Sequence, residues 1–252
     1  MRLLKRDSST SARPSALPGQ PVFACSIPPA TRDAMAEVSH RMRLDAHGGA
    51  SLLKALVLGD IIVTNRLSRF VEIGVYRGRL LLMIATLMRD VVHGEAIGID
   101  PYSSLAAMQR DEHDRGIDLV SLPLNTDWEE PYRAVLASID ERTLQAQTRI
   151  IRRPSHDAVT EFEDASIDML HVDGNHDHDC VAKDIELYLP KLCPDAFLVL
   201  DDVSWRSIRP VLDELLIANE LVFMLQDSAV ARFEPEMLND FAVLRVGDGS
   251  RT

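Results

Sequence analysis

Three aspartates stand at the ends of two apolar segments and are the residues best suited to bind a cation. Asp173 follows the segment 167–172, and Asp201 and Asp202 follow the segment 197–200. If the two segments are neighbouring strands of a parallel sheet, the three carboxylates emerge at one edge of it. Carboxylates so close repel one another unless a cation intervenes, and hard oxygen ligands suit Mg²⁺ or a similar divalent ion. Helix capping or turn formation explains one such Asp, but not three.

A histidine follows the first of these aspartates by three residues. An unperturbed imidazole has a pKa of about 6.5, which suits proton abstraction near neutral pH. His176 is therefore a candidate general base, and the alternatives are a metal ligand, a helix cap or a rim residue. His171 is expected on the opposite side of its strand from Val172, and we interpret it as a core or interface histidine.

A second group of residues suits a nucleoside ligand. Glu72, Gly74 and Gly78 form a Glu-x-Gly-x-x-x-Gly pattern where the segment 70–75 runs into an apolar helix. Ligands of doubly wound sheets bind at the carboxyl ends of strands, and glycine lets the backbone approach them closely. Asp100, at the end of the next segment, suits hydrogen bonds from ribose hydroxyls. The spacing differs from Gly-x-Gly-x-x-Gly and favours a nucleoside without a pyrophosphate. A tight strand-to-helix connection is the alternative explanation of the glycines.

The elements that must position these residues follow from the alternation of short apolar runs with helical patterns. This alternation predicts an α/β fold with a doubly wound, mostly parallel, Rossmann-like sheet of seven strands. The last two candidate strands have no convincing helix between them, which predicts a terminal antiparallel hairpin. The candidate strands are residues 70–75, 96–100, 149–152, 167–172, 197–200, 221–225 and 241–246.

Helical periodicity is found at residues 80–88, 181–192 and 208–216. Thr126 and Glu129 are predicted to form a capping box that opens a further helix through Ile139. The polar segment 102–127 is expected to cover the site. Residues 1–30, rich in Ser and Pro, predict a flexible N-terminal arm, and residues 31–252 a single domain.

The composition of the chain limits the classes of partner that we expect it to bind. A net charge of -12 repels a phosphate backbone and an anionic membrane surface, so we expect neither nucleic acid nor membrane as a partner. The odd number of widely spaced cysteines, Cys25, Cys180 and Cys193, favours reduced thiols, and no signal-peptide pattern is found, so we expect a cytoplasmic protein. We also expect a homo-oligomer, in which the basic arm reaches an acidic neighbour.

Together these motifs resemble those of class I S-adenosylmethionine-dependent methyltransferases. They are most similar to the metal-dependent O-methyltransferases of small molecules, including the catechol type and the type that methylates sugars of macrolide antibiotics. The resemblance covers residues 68–246. It implies methyl transfer from S-adenosylmethionine to a hydroxyl of a small molecule, a secondary metabolite or its sugar, assisted by Mg²⁺ or a similar divalent cation.

The resemblance also implies roles for the cofactor-binding residues. Glu72, Gly74, Tyr76 and Gly78 match the positions that hold the methionine part of the cofactor, and Asp100 matches the ribose-binding acid.

Further roles follow from the resemblance for the adenine and metal positions. The turn 153–157 resembles the adenine-contacting turn, with Ser155 and His156 near the base. The metal ligands are Asp173, Asp201 and Asp202, and Asp173 also serves the cofactor and catalysis. His176 stands where catechol-type members carry the lysine that deprotonates the acceptor.

The sequence departs from the family at two places. Leu80 stands where catechol-type members have a cofactor-binding Ser, and Pro194-Asp195-Ala196 replaces the common Pro-Gly-Gly.

Four alternatives stay open: a methyltransferase that needs no metal, one that methylates nitrogen, a cofactor-binding protein without transferase activity, and a metallophosphoesterase-like hydrolase. The segment 174–177 (Gly-Asn-His-Asp) matches a metallophosphoesterase signature, and the segments 45–48 and 59–60 imitate earlier motifs of those hydrolases. However, the short distance from His47 to Gly59 leaves no room for a βαβ crossover, and no later histidine follows His178.

Overall fold

A seven-stranded sheet forms the centre of the protein. The computed structural model describes residues 25–45, 50–110, 118–226 and 240–247. The strands are β1 (Arg69–Ile73), β2 (Glu95–Ile99), β3 (Thr148–Ile151), β4 (Ile167–Val172), β5 (Leu192–Asp201), β6 (Glu220–Leu225) and β7 (Phe241–Arg245).

The strand order is β3-β2-β1-β4-β5-β7-β6. Strands β1 to β5 run parallel, and β7 pairs antiparallel with both β5 and β6. The predicted α/β fold, with its terminal antiparallel hairpin, is therefore confirmed. Strand β5 begins five residues before the predicted segment. Within this extension Asp195 adopts a φ of 61°, a left-handed conformation that glycine adopts more easily than aspartate.

Nine α-helices are found in the described residues. No described helix combines the length and apolar character required to cross a membrane. The helices are α1 (Pro29–Asp45), α2 (Leu52–Asn65), α3 (Arg79–Leu87), α4 (Ser104–Ala107), α5 (Ser121–Leu124), α6 (Glu129–Glu141), α7 (Ser155–Ala158), α8 (His178–Tyr188) and α9 (Arg209–Ala218). Helices α3, α6, α8 and α9 match predicted helices, whereas the two longest, α1 and α2, were not predicted.

The core has two layers, one on each face of the sheet. Helices α1, α2, α3 and α6 cover the face that carries Phe70 and Phe241. Helices α7, α8 and α9 cover the opposite face, which carries Val71 and Val172. Alternation along each strand divides the apolar residues between the layers. Helix α3 is buried at every position, as its nearly continuous apolar sequence predicts.

Two local expectations need correction or restriction. The capping box of Thr126 and Glu129 is wrong: the Thr126 hydroxyl donates to the Leu122 carbonyl, and the Asp127 side chain accepts the Glu129 N–H instead. The preceding helix α5 offers Thr126 this nearer partner. Residues 1–24 of the predicted arm lie outside the described residues, whereas Ile27 is buried in the core and α1 already begins at Pro29.

Candidate functional site

The carboxyl ends of β1, β2 and β4 surround a cavity of about 690 Å³. Its position is that of a nucleotide-like ligand in a doubly wound sheet. Seven of the eight predicted cofactor residues line it: Glu72, Gly74, Tyr76, Asp100, Ser155, His156 and Asp173.

Gly74 lets β1 and β4 approach each other at the floor of this cavity. It has a φ of 88°, and a Cβ atom there would lie 2.1 Å from the carbonyl oxygen of Asp173. Its N–H donates to the carbonyl of Ile99 on β2. No other residue type fits without moving the ends of these strands.

Gly78, which the resemblance assigns to the cofactor, makes a close packing contact at the beginning of α3. It is not among the described residues that line the cavity. It has a φ of 78°, and a Cβ atom would lie 2.4 Å from Val135 of α6. Gly78 therefore allows α6 to pack closely against the beginning of α3.

Asp100 organises the turn between β1 and α3. One carboxylate oxygen accepts the N–H groups of Val75 and Tyr76, at 3.0 and 2.9 Å, and the other accepts the N–H of Tyr102 at 2.7 Å. Burial raises the pKa of Asp100, and these three backbone donors oppose that rise. A carboxylate oxygen can accept more than one hydrogen bond, so Asp100 can still accept one from a ribose hydroxyl.

The opposite end of the cavity contains a buried carboxylate that the sequence analysis missed. Asp184 of α8 accepts a hydrogen bond from the Ser155 hydroxyl at 2.5 Å, and Tyr188 donates to the Ser155 carbonyl at 2.9 Å. Burial raises the pKa of Asp184 to about 6. Ser155 is thereby fixed at the predicted adenine position, with His156 beside it on the rim.

The three predicted aspartates converge beside this cavity, around His176. The Nε2 atom of His176 lies 3.5 Å from Asp173 Oδ1 and 3.3 Å from Asp202 Oδ2. Asp201 lies behind them at the end of β5, with 6% of its surface exposed. Trp205 covers the imidazole, with 4.7 Å between the ring centroids.

Electrostatics favour a positive charge among these carboxylates. Burial lowers the pKa of His176, but the Asp173 hydrogen bond and the charge of Asp202 outweigh it and raise the pKa to about 9. Burial raises the pKa of Asp173, but Lys54 and His176 outweigh that effect and lower it below its ordinary value.

Lys54 of α2 is the second cation of the cluster. Its side chain is completely buried, and Nζ lies 2.5 Å from Asp201 Oδ2. Burial lowers the pKa of Lys54, but the carboxylates of Asp201 and Asp173 outweigh burial and raise it. The sequence analysis missed this lysine. Its place four residues before Leu58 and eight before Ile62, on one buried stripe of the helix, was the available signal.

Beneath the cluster, His171 connects the two parts of the site. It faces away from Val172, as predicted, and it is fully buried. Its Nδ1 lies 3.2 Å from Glu72 Oε1, and its Nε2 lies 3.9 Å from Asp201 Oδ2. Burial and the nearby Lys54 lower the pKa of His171 to about 3, so the imidazole is neutral. Burial, with the charge of Asp173, raises the pKa of Glu72 well above its usual range.

The three aspartates supply oxygen atoms of the type that divalent cations bind. Asp201 Oδ2 is held by Lys54, while its buried Oδ1 has no hydrogen-bond partner among the described residues. Asp173 and Asp202 each present a carboxylate oxygen to His176 Nε2. The three carboxylates are hard oxygen ligands on adjacent strand ends, the chemistry that Mg²⁺ or Mn²⁺ prefers. Among the described residues, the possible ligand atoms of Glu72, His171 and Asp173 all lie within 4.8 Å of one another, and this group contains neither Asp201 nor Asp202.

The segment after β2 folds over the site and is fixed to it by side chains of the β4 loop. Asn175 donates to the carbonyls of Ala106 and Met108 at 3.1 and 2.8 Å. Gln109 lies 3.3 Å from His176 Nδ1. The predicted covering role therefore fits residues 103–109, while residues 111–117 lie outside the described part.

Of the metallophosphoesterase-like motifs, the described residues Gly59 and Asp60 have their contacts away from the segment 174–177. Gly59 packs against Ile27 in the middle of α2, and Asp60 accepts the N–H of Ser26. Of the segment 45–48, residues 46–48 lie outside the described residues. His176 therefore shares its site with Asp173 and Asp202, not with Asp60.

Comparison with known proteins identifies the class. The family described as "Methyltransferase domain" matches residues 71–203, more than half of the chain. The chain therefore belongs to this methyltransferase family, and the resemblance seen in the sequence is confirmed. A curated relative, the uncharacterised protein y4gI of Sinorhizobium fredii, is 35% identical over 79 residues. That match covers 31% of this chain and only 8% of the relative.

Solved structures share the fold at low sequence identity. The methyltransferase PaMTH1 of Podospora anserina, bound to S-adenosylhomocysteine, is 15% identical with a TM-score of 0.58, over 86% of this chain and 88% of its own. The O-methyltransferase NovP is 17% identical with a TM-score of 0.58, over 80% and 83%. TomG of Streptomyces achromogenes, an O-methyltransferase of tomaymycin synthesis in complex with S-adenosylmethionine, is 13% identical with a TM-score of 0.55, over 86% and 89%.

Proposed function

We propose that the protein transfers the methyl group of S-adenosylmethionine to a hydroxyl of a small molecule, with a divalent cation holding the acceptor. The observation that carries this proposal is the junction at Asp173. This residue lines the 690 Å³ cavity and also lies 3.5 Å from His176 in the acidic cluster. A donor in the cavity and an acceptor at the cluster would therefore meet at one residue.

The donor's three parts have candidate partners along the cavity. Glu72, Gly74 and Tyr76 lie at the end proposed for the methionine part. Asp100 would accept hydrogen bonds from the ribose, and Ser155 and His156 would contact the adenine. Gly78 supports this arrangement indirectly, because it lets α3 begin close to α6. Holding the sulfonium in line with the acceptor oxygen supplies much of the rate increase of a displacement reaction.

The acceptor would be bound at Asp173, Asp201 and Asp202. A divalent cation held by these residues would lower the pKa of the acceptor hydroxyl. His176, which is 3.3 Å from Asp202, would take the proton in its neutral form. Trp205 shields the imidazole from water, and Trp128, which packs edge-on against Tyr76, forms part of the cavity wall.

The acceptor class is proposed from the relatives. TomG is described as an enzyme of tomaymycin synthesis, which supports a secondary metabolite or its sugar, including antibiotic intermediates, as acceptor here. We further propose that the protein is a cytoplasmic homo-oligomer; the three unpaired cysteines support a reducing compartment.

Calorimetric titration with S-adenosylhomocysteine tests the donor site. We expect one binding site per chain, and weaker binding in Asp100→Ala, which loses both the ribose acceptor and the support of the turn. Labelled S-adenosylmethionine incubated with a metabolite extract should then give a labelled O-methyl product. The absence of any binding of S-adenosylmethionine or S-adenosylhomocysteine by the wild-type protein would refute the proposal.

The proposed metal requirement is tested separately by chelation. EDTA should abolish methyl transfer and leave binding of S-adenosylhomocysteine intact, with activity restored by Mg²⁺ or Mn²⁺. Asp202→Asn should respond like the chelated enzyme. Full activity in EDTA, together with a fully active Asp202→Asn, would instead support the alternative of a methyltransferase that needs no metal.

A further inference from the structure

Lys54 lies at an unusual place for a lysine. It is the third residue of α2, its backbone N–H is capped by the Ser51 hydroxyl at 3.1 Å, and its side chain has no exposed surface. It precedes the region that matches the methyltransferase family, residues 71–203. A buried ammonium without compensation is strongly destabilising, so its environment must supply negative charge.

That charge comes from the acidic cluster. Lys54 Nζ donates to Asp201 Oδ2 at 2.5 Å, and it lies 5.6 Å from the centre of the Phe241 ring. Asp173 and Asp202 also act on it electrostatically. Lys54 contacts Asp201 of β5 and Phe241 of β7, and α2 belongs to the core layer that contains Phe241, so the lysine enters the cluster from the core side. The cavity side is left to ligands.

The ion pair changes the charge that a bound cation would experience. When all three carboxylates are ionised around a bound divalent cation, they carry three negative charges against its two positive charges. Such a site would keep a net negative charge and would repel the oxygen anion of an acceptor. One further fixed positive charge removes this excess, and His176 adds none while it is neutral.

We propose that Lys54 is a positioning residue that offsets one of the three carboxylate charges, so that a divalent cation binds more weakly but can also hold an anionic acceptor oxygen. The ion pair has a second effect. With Oδ2 of Asp201 bound to the lysine, its buried Oδ1 is the oxygen left for the cation. This inference rests on the proposed function, because it assigns the acidic cluster to a divalent cation.

Binding of Mn²⁺, followed by electron paramagnetic resonance and calorimetry, tests the proposal without measuring activity. The variants are Lys54→Met, which removes charge and hydrogen bond, and Lys54→Gln, which removes the charge but keeps a donor. We expect both to bind Mn²⁺ at least about tenfold more tightly than the wild-type protein, because a repulsive charge next to the site is lost. Lys191→Met, which removes a lysine paired with Asp164 far from the cluster, should bind Mn²⁺ like the wild type.

Unchanged or weaker Mn²⁺ binding in both Lys54 variants would overturn the proposal. Thermal unfolding and titration with S-adenosylhomocysteine show whether each variant is folded, and Lys54→Gln serves if Lys54→Met is not. If the wild-type protein does not bind S-adenosylhomocysteine, the proposed function is refuted but this inference is not. If only the two Lys54 variants bind Mn²⁺ tightly, the result still supports the proposal that Lys54 offsets a carboxylate charge. If neither the wild-type protein nor the variants bind Mn²⁺, the proposal is refuted.

Discussion

His176 lies between two carboxylates that decide its charge. Asp173 and Asp202 both approach Nε2 within 3.5 Å, and they raise the pKa of the imidazole to about 9. A general base must be neutral when it accepts a proton. A cation bound to Asp173 and Asp202 would offset their negative charge and would thus lower the pKa of His176 and favour its neutral form. The proposed base and the proposed metal ligands are therefore electrostatically coupled.

His176→Gln tests the role of this residue in proton transfer. The amide fills a similar volume and can still donate to Asp202, but it cannot accept the proton. We expect the single-turnover rate of methyl transfer to fall roughly 10²- to 10⁴-fold, with affinity for S-adenosylhomocysteine within about threefold of the wild type. A variant with nearly normal rate would show that another group removes the proton. His40→Gln, at an exposed position of α1 away from the cavity, is the control for the change of a histidine to glutamine.

Asp184 provides a prediction about stability and pH. Its pKa is raised to about 6 in the folded protein by burial, against 3.8 as an ordinary value. The folded state therefore binds the proton more tightly, so the contribution of Asp184 is most favourable below about pH 4 and is lost as the pH rises through about 6. Asp184→Asn keeps an acceptor for Ser155 and avoids this loss.

Asp184→Asn changes the free energy of unfolding at each pH. We expect this change to be more stabilising at pH 7 than at pH 4, by up to about 3 kcal/mol. Urea unfolding of both proteins at pH 4, 5, 6 and 7 measures the difference. Asp164→Asn, at an exposed carboxylate, is the control and should show no comparable pH-dependent gain. An equal effect of Asp184→Asn at every pH would contradict the prediction.

At the scale of elements, the connections after β1 and β4 determine the site. Gly74 directly follows β1, and its N–H donates to the carbonyl of Ile99 on β2. Its backbone lies close to the carbonyl of Asp173, so that a side chain at this position would overlap that carbonyl. The N–H of Asp173 in turn donates to the carbonyl of Ile73 at 2.9 Å. The cavity and the acidic cluster are therefore joined through backbone contacts between two strand ends.

Gly74→Ala should disrupt this junction. The new methyl group would overlap the Asp173 carbonyl, and φ would stay in a region that costs alanine energy. We expect a loss of at least about 2 kcal/mol in the free energy of unfolding and at least tenfold weaker binding of S-adenosylhomocysteine. Gly247→Ala, whose Cβ would make an ordinary 3.4 Å contact with Ala218, should change stability by about 0.5 kcal/mol or less. Normal ligand binding by Gly74→Ala would show that the cavity does not depend on this approach.

At the scale of the whole molecule, one sheet with two helical layers supports the site at a single edge. Residues 28–45 add α1 to the layer that also contains α2 and α3, and Ile27 is buried there. The first residues of the chain that pack in the core therefore lie at the end of the predicted arm, within the part that the structure describes. The remaining arm residues include Arg2, Lys5 and Arg6, in a chain whose net charge is -12.

Deletion of residues 1–24 should therefore weaken association between copies. Multi-angle light scattering of the full chain and of the deleted form should give a lower mass for the deleted form at the same concentration. High salt should lower the mass of the full chain as well, because it screens contacts between a basic arm and an acidic surface. The prediction fails if deletion and salt both leave the mass unchanged.

Strand positions followed the sequence closely, because a buried parallel strand is a short apolar run with few alternatives. The differences occur where a neighbour competes with a local signal. Thr126 donates to Leu122 instead of capping α6, since α5 immediately precedes it. Strand β5 extends back through Pro194 because Leu192 pairs with Ile167 of β4, across an irregularity in register that contains Asp195.

The sequence by itself determined the α/β topology, the glycine turn after β1 and the position of Asp173, Asp201 and Asp202 at neighbouring strand ends. Each of these follows from periodicity or from the ends of strands, which are local properties of the chain. Only the tertiary structure decided that Lys54 lies within the acidic cluster and that Asp184 lies beneath Ser155. Both are charged residues on helices, where a local pattern favours exposure. Their burial depends on partners more than 25 residues away, and only the packed sheet brings those partners close.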